Sequence, residues 1–265
     1  MAIDFDAIKR KLDRLSGNNR SRNVMWKPTE GEEHTVRLIS FPDNDGQPFK
    51  ELQFYYNIPG ARSLLAPFQF GQKDPVQELI TKLREEGSKE SYELAKKLYP
   101  SMRVYAAVIV RGEEDKGVQI WGFGKTVYQK LLGMMLDEDY GDITDPFEGR
   151  DIKVVCSKQP GQQWAKTEVL PRGKSTVLSS DKNQSKEWLS NIPDVTSMFT
   201  CKTYEELSDI INNWLNGEDE EADEGSDWGT SSSSDDTPKP TSGGGGGGNA
   251  GKKYDNIDDA FADLM

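Results

Sequence analysis

Flat rings and cations recur side by side along the middle of the chain. Phe54-Tyr55-Tyr56, Tyr99-Pro100-Ser101-Met102-Arg103-Val104-Tyr105, Trp121-Gly122-Phe123-Gly124-Lys125 and Trp164-Ala165-Lys166 each set an aromatic side chain beside a base or a glycine. Aromatic faces hold unpaired bases by stacking, at about 1 to 3 kcal/mol per base, while Lys and Arg follow the phosphates. Glycine at positions 122 and 124 would keep such a surface open to close approach. A single ring of this kind is more often core than platform, so the recurrence with adjacent cations carries the reading. The candidate binding set is Tyr55, Tyr56, Arg62, Tyr99, Arg103, Tyr105, Trp121, Phe123, Lys125, Trp164 and Lys166.

Catalytic chemistry finds less to work with. The one histidine, His34, has no second His and no nearby Cys to make a metal set or a base pair. Cys156 and Cys201 are far apart in no metal-type spacing, which suits packing in a reducing compartment. No Walker-type loop or nucleophile elbow occurs, and the run Gly243 to Gly248 lacks the strand and helix that a phosphate site needs. A zinc deaminase would need His and Cys ligands that are missing. Acidic residues are numerous, so converging carboxylates are the one catalytic chemistry that composition leaves open. The expectation is a binding protein, not an enzyme, with no cofactor and no metal. No run approaches the roughly 20 apolar residues of a bilayer span, and Met1-Ala2-Ile3-Asp4-Phe5-Asp6 lacks the start of a secretory signal.

A formal net charge of −12 argues at first against a phosphate partner. Its distribution removes the objection. Residues 218–265 hold 13 acids against Lys239, Lys252 and Lys253, a net of −10, so residues 1–217 carry 32 acids and 30 bases, a net of −2. At the other end, from residue 9 to residue 27, Lys9, Arg10, Lys11, Arg14, Arg20, Arg22 and Lys27 face the single acid Asp13, with Asp4 and Asp6 ahead of them. One end is a basic arm, residues 1–23, and the other an acidic tail, residues 218–265. The tail's Glu218-Asp219-Glu220-Glu221, its serine stretch and its glycine run supply little apolar surface to offset the entropy of ordering, so we expect it to be disordered. At its tip Ile257, Phe261 and Leu264 recur at i, i+4 and i+7 among carboxylates, the pattern of a peptide that docks in a partner's groove.

Between them, residues 24–217 must supply the elements that hold the rings. Period-two alternation with β-branched and aromatic residues predicts strands at His34 to Phe41, Lys50 to Asn57, Met102 to Arg111, Gly117 to Phe123, Arg150 to Ser157 and Gln163 to Leu170. Gly112 to Gly117 reads as the turn of a hairpin. Val76, Leu79, Ile80 and Leu83 predict a helix, Tyr92 to Leu98 a second, and Thr126 to Asp137 a third. Trp188 and Leu189 lie in another, and Leu207, Ile210, Ile211, Trp214 and Leu215 in a last one, capped by Thr203 with Glu206 three residues on. The fold expected is α+β: a five-stranded, partly open β-barrel of the OB type with a helical insertion and C-terminal closing helices.

The order Val36-Arg37-Leu38-Ile39-Ser40-Phe41-Pro42-Asp43-Asn44-Asp45, Tyr105-Ala106-Ala107-Val108-Ile109-Val110, Ile120-Trp121-Gly122-Phe123-Gly124-Lys125 and Asp142-Ile143-Thr144-Asp145-Pro146-Phe147-Glu148-Gly149 resembles the single-stranded DNA-binding (helix-destabilising) protein of T4-like phages. The resemblance covers most of residues 24–170. It implies an OB-type core binding single-stranded DNA in a basic, aromatic-lined cleft, with Tyr105, Trp121 and Trp164 at positions of cleft aromatics. It further implies cooperative contact with neighbouring copies through the basic arm, here Lys9, Arg10 and Lys11. The acidic tail would recruit DNA polymerase, helicase-loading and recombination proteins, so that the chain serves phage DNA replication, recombination and repair in the cytoplasm of the infected bacterial host.

Two departures alter that picture. Where the family has a zinc-binding Cys-Pro-x-Cys segment, this chain reads Asp74-Pro75-Val76-Gln77, so we expect no structural zinc and a helix that begins at Pro75. In the arm, Lys9-Arg10-Lys11 runs into Leu12, and Phe5, Ile8, Leu12 and Leu15 make an amphipathic pattern instead of the family's hydroxyl residues. Two other readings stay open from sequence: an RNA-binding regulator on the same barrel, and a scaffold that recruits partners through its tail and binds no nucleic acid.

Overall fold

Paired segments rich in β-branched and aromatic residues organise the structure, a computed structural model that describes residues 24–58, 61, 63–162 and 164–216. Lys9, Arg10, Lys11, Arg62, Ile257, Phe261 and Leu264, with the arm and tail, lie outside the described residues. The strands are β1 (Met25–Trp26), β2 (Glu33–Ile39), β3 (Phe49–Tyr55), β4 (Leu64–Leu65), β5 (Ser101–Val110), β6 (Gln119–Phe123), β7 (Arg150–Ser157) and β8 (Lys166–Ser175). The helices are α1 (Pro75–Glu86), α2 (Lys89–Leu98), α3 (Lys125–Met135), α4 (Lys182–Ser190) and α5 (Tyr204–Leu215). The eight strands make an open, mixed sheet in the order β1-β6-β5-β2-β7-β8, with β3 pairing β4 and β5 off that path. This is an α+β fold consistent with a partly open barrel.

All six expected strands are present, with ends shifted by a few residues. The two additions, β1 and β4, are two residues long and too short to show alternation. β8 continues to Ser175 through the polar stretch Arg172-Gly173-Lys174, because β7 supplies a partner as far as Arg150↔Ser175. That extension has no apolar signature to read.

The described chain divides into two compact units. The first comprises residues 24–51 and 103–198. Here β5 is buried from Val104 through Val110, flanked by β2 and β6 in antiparallel register. At the far side of β2, the fully buried guanidinium of Arg37 donates to Asp151 Oδ1 at 3.2 Å and to Thr176 Oγ1 at 3.0 Å. Arg111 shares the same carboxylate at 3.0 Å and donates to the Leu178 carbonyl. Burial lowers the pKa of Arg37, with Asp151 opposing that shift. A buried cation needs such a partner, since leaving it unpaired costs several kcal/mol, about 3 to 5.

The Asp142–Gly149 segment is fixed by its own backbone. Asp145 Oδ1 accepts from the amides of Phe147 and Glu148 at 2.7 and 2.8 Å, and these bonds hold its carboxyl below the usual range. Position 149 has no room for a side chain, because a Cβ there would collide with the Asp145 carbonyl. The Pro-Phe-Glu-Gly ending is therefore a turn that only glycine can close.

The second unit comprises residues 52–102 and 199–216 of the described chain. Asp74 caps α1 by accepting from the amides of Val76 and Gln77, and Pro75 stands at the first helical position, where it lacks no needed donor. Val76, Leu79, Ile80 and Leu83 are buried as their spacing predicts. They pack with Leu98 of α2 and with Leu207 and Ile211 of α5 in one apolar cluster. The capping box at Thr203 and Glu206 opens α5 as expected.

Candidate nucleic-acid interface

Register decides which rings the sheet can present. Directly paired residues of an antiparallel ladder share a face, and β5 and β6 pair Tyr105 with Gly122 and Ala106 with Trp121. Tyr105 and Trp121 therefore point to opposite sides. The Tyr105 ring lies over Gly122, where an added Cβ would come within 2.9 Å of its Cε1. Arg103, two residues earlier on the same face, donates from Nη2 to the Gly122 carbonyl at 3.0 Å. Gly124 then caps α3, whose first residue, Lys125, is exposed and whose first turn holds no acid. A helix start with free amides and no carboxylate favours phosphate. Tyr105, expected as a cleft ring, is only 5% exposed and packs on Gly122, so its contribution is packing; Arg103 and the start of α3 with Lys125 are the cationic groups at this end of the hairpin.

The opposite side of that hairpin is core. Trp121, only 1% exposed, meets Trp26 edge-on at 5.4 Å between centroids and Phe123 at 4.6 Å. Phe123 is likewise buried, with Phe49 edge-on at 6.2 Å. Trp121 and Phe123, expected as stacking platforms, are covered on their faces by neighbouring rings, so their contribution here is packing.

Tyr55 is corrected in the same way in the second unit. It is buried, its hydroxyl donates to Asp74 Oδ2 at 2.8 Å and accepts from Gln77 Nε2 at 3.0 Å, and burial raises its pKa. Tyr56 is half-buried, tilted against Phe54 at 5.9 Å. Tyr99 is exposed and its hydroxyl accepts from Arg84 Nη1 at 3.0 Å.

Beside Tyr99 the sequence reading missed a ring. Tyr92 on α2 is 58% exposed, and Lys89 and Lys96, three before it and four after it, are also exposed. Three- and four-residue spacings share a helix face, so Lys89, Tyr92 and Lys96 form a stripe of alternating charge and ring. The sequence predicts a helix over Tyr92 to Leu98 but does not show which face is exposed.

Trp164 sits in the connection between β7 and β8 and is 47% exposed, with the exposed Lys166 opening β8 and pairing Glu168 at 3.5 Å. Among the rings expected from sequence in the first unit, Trp164 is the exposed one.

A zinc site of the kind the resemblance implies would draw on the residues around Asp74. Asp74 stands where a thiolate would, and its carboxylate is occupied by Tyr55, Val76 and Gln77. The one Cys in this unit, Cys201, has its thiol pKa pushed up by burial and by the Asp74 charge, which keeps it in the protonated form that binds zinc poorly. Among the described residues no group of three or more His, Cys, Asp or Glu is placed to hold a metal ion. The donor set does not fit zinc.

A family model described as gp32 DNA binding protein like matches residues 31–215 of the chain. No curated protein matches it.

Proposed function

The chain belongs to the gp32 DNA binding protein like family, and from that premise we propose that it binds single-stranded DNA cooperatively and with little regard to sequence, on an OB-type core spanning residues 24–217. The observation that carries the reading is the pairing of exposed rings with cations: Trp164 with Lys166, and Tyr92 and Tyr99 with Lys89, Lys96 and Arg84, with Arg103 and Lys125 as further cations. Tyr56 and Arg62 complete the proposed set. Stacking at about 1 to 3 kcal/mol per base with phosphate contacts gives affinity that tolerates any base.

The arm, through Lys9, Arg10 and Lys11, gives contact between neighbouring copies on the strand. The acidic tail, through Ile257, Phe261 and Leu264, takes DNA polymerase, helicase-loading and recombination proteins, placing the chain in phage DNA replication, recombination and repair inside the bacterial host. No helix among the described residues is long and apolar enough to cross a membrane. Tryptophan fluorescence tests the reading: single-stranded DNA should quench the emission, and a matched RNA oligomer should compete poorly. Equal competition by RNA would favour an RNA-binding regulator, and no quenching with either would favour a scaffold.

A further inference from the structure

The C-terminal end of α3 leaves an apolar edge open to solvent. Leu132 and Leu136 stand four residues apart on one helix face, joined by the Leu136 amide to the Leu132 carbonyl at 3.1 Å, while Val127 and Leu131 bury the opposite side. Leu136 is 85% exposed. Three exposed acids follow at once, Asp137, Glu138 and Asp139. The last turn of α3 has no basic residue, so the negative end of its dipole adds to those carboxylates. Arg150 donates to the carbonyls of Asp139 and Tyr140, which fixes the acidic turn against β8 through the Arg172 and Gly173 carbonyls. The surface is thus two leucines beside a held cluster of negative charge.

Its complement is a segment with apolar residues at helical spacing and positive charge between them. Two segments outside the described residues have apolar residues at such spacing. The tail tip, with Ile257, Phe261 and Leu264 among Asp255, Asp258, Asp259 and Asp263, has the wrong charge. The arm has a net positive one: Phe5, Ile8, Leu12 and Leu15 recur at three and four residues, and Lys9, Arg10, Lys11 and Arg14, with Arg20 and Arg22 beyond, outnumber Asp4, Asp6 and Asp13. We propose that the arm of a second copy docks on the Leu132–Leu136 edge, its cations meeting Glu138, Asp139 and the end of α3. The inference rests on the cooperative reading above and names the surface that reading lacks. It also explains why Lys9-Arg10-Lys11 is followed by Leu12: the contact needs an apolar residue as well as charge.

The test uses the full-length protein and two DNA lengths, a long single strand and an oligomer that holds one molecule. Leu136→Ser and the pair Glu138→Lys with Asp139→Lys should each reduce affinity for the long strand and leave the short one unchanged. These side chains are exposed, so the fold should persist. Asp137 is left alone because its side chain accepts from the Asp139 amide. Lys9→Glu with Lys11→Glu should show the same selective loss, and combining the two charge reversals should restore long-strand binding by roughly 2- to 100-fold, the range expected for groups in direct contact. If the arm variant loses long-strand affinity while the α3 variants bind both lengths normally, the docking surface is wrong and the arm's role stands. If the combined variant is no better than either alone, direct contact is ruled out. If removing residues 1–22 has no length-dependent effect, the cooperative reading fails and the docking proposal falls with it.

Discussion

The Tyr105 ring rests on Gly122, its partner across the β5–β6 ladder, so closely that a single added carbon would meet the ring edge at 2.9 Å. Glycine at 122 is therefore a condition for the ring's position. Gly122→Ala should push the buried Tyr105 ring off its seat, disturb the Arg103 bond to the same residue, and destabilise the fold by about 1 to 3 kcal/mol, as overpacking does. Urea unfolding checks this. Unaltered stability would contradict the close packing of ring on glycine.

Trp121 and Trp164 should respond in opposite ways to the same substitution. Trp121→Ala removes a ring packed against Trp26 and Phe123 and should cost about 3 to 5 kcal/mol of stability in urea unfolding, as large core truncations do. Trp164→Ala, at an exposed ring, should leave stability nearly unchanged and weaken DNA binding. A Trp121→Ala variant of normal stability would contradict the packing described above.

The hydrogen bond from Tyr55 to the buried Asp74 carboxylate ties a strand to the start of a helix. Tyr55→Phe should destabilise the protein by about 1 to 3 kcal/mol, since Asp74 loses a donor in a buried place. Adding EDTA should leave the melting temperature unchanged. A melting temperature that falls with EDTA would mean that a metal contributes after all.

Alkaline pH offers a separate check on Tyr128. Its hydroxyl donates to Glu51 at 2.6 Å, and burial together with that carboxylate pushes its pKa up to about 12. A phenol with a raised folded pKa ionises first in the unfolded chain, so its contribution to stability is complete below about pH 10 and is lost as pH rises toward 12. Tyr128→Phe should flatten that part of the stability profile. An unchanged slope between pH 10 and 12 would contradict this origin.

The strands are plain in sequence, because Val36 to Ile39 and Val104 to Val110 are short apolar runs rich in β-branched residues, the second continuous because it is buried throughout. The caps at Asp74 and Thr203 were equally legible, since both are local chemistry. What could not be read is the side each ring takes. Trp121 and Phe123 are two apart and must share a face, but only pairing with β5 shows that this face is opposite to Tyr105. Tyr55 looked like a platform beside Tyr56 until Asp74, 19 residues on, accepted its hydroxyl. Tyr92 failed for the converse reason: its spacing suits either a buried or an exposed face, and burial by α1 and α5 falls on Ala95 and Leu98 instead. Long-range contact, not propensity, decides these cases.

The tail prediction follows from charge alone. Residues 218–265 carry a net −10, and a tethered polyanion competes with phosphate at high effective concentration. Removing them should tighten DNA binding most at low ionic strength, because salt at about 0.15 M already screens charges beyond roughly 8 Å. Alanine at Ile257, Phe261 and Leu264 keeps every charge and should abolish partner binding while leaving DNA affinity unchanged. A truncation that weakens DNA binding would refute the competition.

The central claim is that this chain grips single-stranded DNA by stacked rings and paired phosphates, and a salt titration of binding to polythymidine tests it most directly. Affinity should fall linearly in log–log form with added salt, at a slope of about −0.7 per phosphate contacted on a single strand. Lys125→Ala should reduce the slope by about one contact's worth, and Trp164→Ala should lower affinity at every salt concentration without changing the slope. Binding that is independent of salt, or no quenching of tryptophan emission by polythymidine at low salt, would contradict the account.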